Sequence, residues 1–142
     1  MGDEDRVIVD TNIIFSALIS RNSRFRDVLL GSSTHRFYLC ETVIVELFRH
    51  KEKLLRANPR LTPSEFADLY YGILRQVEIY KEVWVPEQHW AEAAELCRGV
   101  DADDTPHVAI TLALNGVLWT GDEKLKRALA GKGFNRFFTP DP

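Results

Sequence analysis

The feature that most constrains this chain is a repeated change of period. A short β-branched or aromatic run is followed by a capping residue and then by apolar residues at helical spacing. Arg6 to Val9 is such a run, and Asp10-Thr11-Asn12 breaks it into Ile13 to Ile19, which has helical spacing. Phe25 to Leu30 reads as a short helix stopped by Gly31. Phe37 to Cys40 alternates as a strand, and Thr42 caps a helix that runs to Ala57 with Val43, Leu47 and Leu54 on one stripe. Asn58-Pro59 ends it. Thr62-Pro63-Ser64-Glu65 is a capping box with proline at the first helical position, opening a helix to Tyr80. Val83-Trp84-Val85 reads as a third strand, Glu87 to Arg98 as a helix, and Asp101 to Asp104 as the start of a helix ending at Asn115-Gly116. Val117 to Thr120 is a fourth strand, Asp122 caps a lysine-rich helix to Ala130, and Phe134 to Phe138 makes a last strand.

Strands alternating with helices imply parallel pairing through right-handed crossovers. The expected fold is α/β, a three-layer sandwich around a central parallel sheet of four to five strands. With 142 residues and no repeat, linker or low-complexity stretch, one domain is expected to fill positions 1–142. A folded chain of that size buries roughly 68–70% of its unfolded surface. An apolar content of 45% with 27% charged residues argues against disorder, collagen, coiled coil and disulfide scaffolds.

Cys40 and Cys97 each sit in an apolar stretch without metal-type spacing, so both read as reduced core residues. No apolar run approaches the ~20 residues that span a bilayer, and the N-terminus is acidic where a signal peptide is basic. A cytoplasmic setting without membrane contact is the expectation. The net charge of −3 argues against a passive nucleic-acid binder. It argues less against an enzyme whose carboxylates gather around a metal.

In an open parallel sheet, ligands bind beyond the carboxyl ends of the strands. Asp10 and Asp122 follow strands, Glu46 lies one turn into the helix after strand two, and Asp104 opens the helix leading back to strand four. All four are therefore expected at one rim. If that helix begins at Asp101, then Asp101 and Asp104 share a face and Asp103 turns away. Carboxylates ~5 Å apart at an effective dielectric of ~20 repel by roughly 3 kcal/mol per pair, so the cluster needs protons or cations. An all-oxygen donor set suits Mg²⁺ or Mn²⁺, one or two ions, better than zinc. With no positioned Cys, Ser-His pair or Lys nucleophile, metal-assisted hydrolysis by water is the natural chemistry.

The segments Val7 to Ile14, Thr42 to Leu47, Asp101 to Ala109 and Leu118 to Leu125 together resemble the PIN-domain family of nucleases, which includes VapC-type toxins of toxin–antitoxin pairs. The resemblance implies that Asp10, Glu46, Asp104 and Asp122 hold the metal, with Asp101 an extra ligand. Thr11, Asn12 and Thr120 match polar positions that orient the acids. It implies endoribonuclease activity on RNA, leaving 5′-phosphate and 3′-hydroxyl ends, with an antitoxin and a second copy of the chain as partners.

Competing readings stand beside this one. Another Asp-first phosphohydrolase would show Asp-x-Asp after strand one, where Asn12 stands here. A non-catalytic scaffold binding RNA or protein would have no need of mutually repelling acids. His107 reads as a structural histidine or a phosphate contact. Arg21, Arg24, Arg49, Lys51, Lys53, Lys124 and Lys126 are solubilising residues or contacts to an RNA backbone, with Arg21, Arg24 and Lys124 the first candidates. Tyr70 and Tyr71 read as core, base-stacking or partner contacts; Trp84 and Trp119 read as core, and Trp90 is open.

Overall fold

The computed structural model describes residues 5–19, 24–31 and 34–140, so Arg21 lies outside the described residues. Strand β1 is Arg6–Val9, followed by α1 (Thr11–Ile19), α2 (Arg24–Gly31), β2 (Arg36–Cys40), α3 (Glu41–Arg49) and α4 (Lys51–Ala57). Then come α5 (Pro63–Gln76), β3 (Val77–Tyr80), α6 (Glu87–Leu96), α7 (Thr105–Leu114), β4 (Val117–Trp119) and α8 (Glu123–Ala130). The four strands form one parallel sheet in the order β3-β2-β1-β4.

A parallel sheet flanked by helices needs strands that are apolar on both faces. Val7, Ile8, Val9, Leu39 and Leu118 accordingly lie fully buried. Helix α7 packs on β1, β2 and β4 and against α6, while α1 gathers α2, α3, α4 and α5. Covered on several sides, α7 is apolar nearly all round, with Val108, Ala109 and Ile110 buried in succession. It ends at Asn115, whose φ of 53° supplies the left-handed turn of a helix C-terminus. Next to it, a Cβ on Gly116 would stand 2.5 Å from the Arg6 carbonyl oxygen, so only glycine lets β4 approach β1 here.

The expected capping box is present: the Thr62 hydroxyl accepts from the Glu65 amide (3.1 Å) and the Glu65 carboxylate accepts from the Thr62 amide (3.2 Å). Several boundaries differ from the sequence reading. The third strand is Val77–Tyr80, not Val83 to Val85, and α5 stops at Gln76. Ile73, Val77 and Tyr80 keep helical spacing, which hides the strand; the open edge of β2 claims it through Phe37–Val77 to Cys40–Tyr80 pairing. Glu82–Trp84 is instead a 3₁₀ turn before Pro86, and Trp84 is 54% exposed, not core. The helix expected from Thr42 to Ala57 is two, broken at His50, which leaves helical geometry (φ −103°, ψ 9°) with its ring edge-on to Phe15. Residues Ala102–Asp104 form a 3₁₀ turn, and α7 begins only at Thr105. The last expected strand is reduced to a parallel bridge between Leu118 and Phe137. Trp119 is core as expected, and Cys40 and Cys97 are buried free thiols, burial pushing Cys40 up to about 11. No helix among the described residues is long and apolar enough to cross a membrane.

Candidate active site

Strand register brings the first two acids together. Val9 pairs with Trp119, so Asp10 and Thr120 emerge side by side at the carboxyl end of the sheet, and the Asp10 amide donates to the Trp119 carbonyl (3.1 Å). Asp10 is 4% exposed. Its Oδ1 accepts from the amides of Asn12 (2.7 Å) and Ile13 (3.4 Å), which caps α1. Its Oδ2 accepts from the Thr120 hydroxyl (2.5 Å), and the same hydroxyl accepts from the Asp122 amide (3.1 Å). Asp122 in turn caps α8, its Oδ1 accepting from the Leu125 amide (3.0 Å). Both aspartates thus cap helices, the bland role that sequence alone allowed, while one threonine ties them to a single rim.

Asp104 joins them electrostatically. Its carboxyl is pushed from 3.8 up to about 6, first by burial and then by the charges of Asp10, Asp101, Asp122 and Asp103. Asp104 is half-buried, whereas Asp101 and Asp103 are exposed. Asp101 caps the 3₁₀ turn, accepting from the Asp103 amide (2.9 Å), so the helical phase expected from Asp101 onward does not apply. Glu46 lies half-buried on α3, and its side chain makes no hydrogen bond or ion pair among the described residues. Among the described residues, no three His, Cys, Asp or Glu side chains already stand as a formed metal shell.

Beneath this rim sits His107, 4% exposed and out of reach of a phosphate. Its Nε2 approaches the Thr11 hydroxyl at 3.5 Å, and its Nδ1 is buried with no partner among the described residues. Burial lowers its proton affinity, against the pull of Asp10 and Asp103, which keeps a neutral ring under the acids. The sequence reading favoured a structural histidine over a phosphate contact, and its burial agrees; the signal was its place in an all-apolar turn beside Val108, Ala109 and Ile110. Asn12 is exposed, and its backbone amide ties it to the rim.

Two outcomes follow from this geometry. Because folding raises the Asp104 pKa, its protonation favours the folded state: the stabilisation is complete below about pH 4 and is lost as pH rises through about 6. His107, lowered on folding, acts in the opposite sense, destabilising as pH falls through its range. The difference between wild type and Asp104→Asn isolates the first effect. In metal-free thermal melts, the variant should gain on wild type as pH rises from 4 to 7, and a constant difference contradicts the convergence of charges.

Thr120→Val removes the hydroxyl shared by Asp10 and Asp122 and leaves one buried oxygen and one amide unpaired. A loss of roughly 1–3 kcal/mol in urea unfolding is expected, as for any buried group stripped of its partner. If metal is held here, its affinity should also fall by about 10–100-fold, the usual effect of losing an outer-shell partner, read by calorimetric titration of Mn²⁺.

Comparison with known proteins agrees with this picture. Curated proteins give no significant sequence match. Among solved structures, VapBC2 from Rickettsia felis bound to a DNA fragment from their promoter aligns with a TM-score of 0.66 at 16% identity, covering 87% of this chain and 92% of that one. At that identity the likeness is one of fold. A family model described as PIN domain matches residues 8–133. With a family match over nearly its whole length, a parallel sheet of the matching architecture and aspartates gathered beyond β1 and β4, the chain belongs to the PIN domain family.

Proposed function

We propose that the chain is a divalent-metal-dependent endoribonuclease, with Asp10, Glu46, Asp104 and Asp122 as the acidic ligands and Asp101 as an additional one. The observation that carries this reading is that one hydroxyl, Thr120, ties Asp10 and Asp122 to a single rim at the carboxyl end of the sheet, with the half-buried Asp104 close enough to feel their charges. Groups that repel one another gain most from a cation, and an oxygen-only donor set suits Mg²⁺ or Mn²⁺. When bound, such an ion supplies charge neutralisation and Lewis acidity for hydrolysis of a phosphodiester by water.

The chain's own groups have separate tasks. Asp10 Oδ1 is occupied by two amides, so Oδ2, which among the described residues meets the Thr120 hydroxyl alone, keeps a lone pair for a ligand. Thr120 and the α8 cap hold Asp122 in register with Asp10. Asp104 has to release its proton before it binds a cation, so metal affinity rises with pH through about 6. The fold shared with VapBC2 supports a toxin held by an antitoxin as the biological setting.

The test is cleavage of a single-stranded RNA with Mg²⁺, with Mn²⁺ and with EDTA, followed by mapping of the ends. Fragments carrying 5′-phosphate and 3′-hydroxyl groups are expected with metal alone. Cleavage that persists in EDTA, or ends bearing cyclic phosphate, overturns the reading. In parallel, Mn²⁺ at one hundred times its dissociation constant should stabilise the fold by about 2.7 kcal/mol in thermal melts. No shift would favour a non-catalytic scaffold.

A further inference from the structure

Helix α6 ends against a lysine from much later in the chain. The Lys132 ammonium donates to the main-chain carbonyls of Glu95 (3.3 Å), Leu96 (3.0 Å) and Arg98 (2.6 Å). An ammonium has three donors, and all three are used here. The last carbonyls of a helix have no partner farther along it and carry the negative end of its dipole, so a cation is the group they favour. Lys132 makes no ion pair with a carboxylate among the described residues, so its charge is directed at these carbonyls. Its backbone is held in turn: the amides of Lys132 and Phe134 both bond the Leu129 carbonyl (3.0 Å each), and Gly133 turns the chain at φ 89°. Lys132 therefore stands just past the end of α8, the helix whose first turn Asp122 caps.

The clamped segment leads straight to another acid. Gly99, Val100 and Asp101 alone separate Arg98 from the turn that carries Asp104. Two main-chain bonds stiffen the passage, from the Val100 amide to the Cys97 carbonyl (3.0 Å) and from the Asp104 amide to the Asp101 carbonyl (3.1 Å). Cys97 itself lies between the clamped carbonyls. Burial raises the proton affinity of its thiol, a hydrogen bond with the Thr105 side chain lowers it, Asp104 raises it and Lys132 lowers it. One buried thiol thus feels the ammonium and the acid together, and bonds the residue next to Asp104. We infer that Lys132 is a positioning residue for the metal site, its ammonium fixing the segment that carries Asp104 to the helix that Asp122 caps, an inference that rests on the metal-dependent reading.

Wild type, Lys132→Met and Lys132→Arg are compared with Thr62→Ala, which removes the α5 cap and so lowers stability away from the site. Metal-free proteins are followed by hydrogen exchange and mass spectrometry, under conditions where urea titration shows each one folded. Lys132→Met should exchange several-fold faster over residues 97–107 and not over α5. Lys132→Arg, which keeps charge and donors, should exchange as wild type. In calorimetric titrations with Mn²⁺, Lys132→Met should bind about 10-fold more weakly, the low end of the effect of losing a group behind a ligand, while Lys132→Arg and Thr62→Ala bind as wild type. Should Lys132→Met fail to fold, Lys132→Gln, which keeps a donor and loses the charge, carries the same comparison. Unchanged exchange over residues 97–107 overturns the inference, and so does an equal loss of Mn²⁺ affinity in Thr62→Ala, which would make the effect one of general stability. The two readings fail separately: wild type that binds Mn²⁺ no better than Lys132→Met refutes the role of Lys132 alone, and wild type that binds no Mn²⁺ refutes the metal-dependent reading and the inference with it.

Discussion

On the proposed reading, Asp10→Asn is expected to lower metal-dependent RNA cleavage by on the order of 10³-fold or more, because several kilocalories per mole of charge stabilisation at a reacting phosphate would depend on the ion Asp10 would help to hold. The fold should survive. The retained side-chain oxygen of asparagine can still accept from the Asn12 and Ile13 amides, so the cap of α1 persists. Loss of one negative charge also relieves Asp104, whose carboxyl is raised in part by Asp10. The melting temperature of the metal-free variant should therefore equal or exceed that of wild type, and the rise caused by Mn²⁺ should shrink or vanish. Cleavage at the wild-type rate would remove Asp10 from the site, and with it the metal-ligand assignment.

The second large effect is on the fold beneath the rim. Trp119 is 2% exposed, and its ring meets Phe25, Phe37 and Phe138 with centroids 5.7, 5.9 and 5.2 Å away. Truncation of such a side chain removes its transfer free energy and leaves a cavity, so Trp119→Ala should cost about 3–5 kcal/mol in urea unfolding. For a domain of this size that corresponds to a fall in melting temperature of roughly 10–20 °C. The carbonyl of the same residue receives the Asp10 amide (3.1 Å), so the loss should also loosen the rim. A drop below 1 kcal/mol would show that the aromatic cluster closes over the gap without penalty.

Much of this architecture was legible in residue order. The apolar runs at β1, β2 and β4 are unambiguous because strands covered on both faces are continuous in Val, Ile, Leu and Phe. The Thr62 box and the Asp122 cap were legible for a different reason: both are local, settled by hydrogen bonds that reach three residues along the chain. Strand β3 was not legible, since Ile73, Val77 and Tyr80 satisfy a helix as well as a strand, and the choice belongs to the unpaired edge of β2. Trp84 was misplaced for the same reason, because a β-branched neighbour on either side says nothing about whether a sheet is there to receive it. Glu46 is tied to the aspartates by sequence pattern alone, its side chain making no hydrogen bond or ion pair among the described residues.

What the sequence determined by itself was the class of fold and the two helix-capping aspartates, since each depends on residue type and on spacings shorter than one helical turn or one strand. Only the tertiary structure decided that Thr120 bridges Asp10 and Asp122, that Asp104 feels four other carboxylates, and that His107 lies beneath them. Those facts join positions about a hundred residues apart, and proton affinity responds to distance and burial in space, which no local pattern encodes.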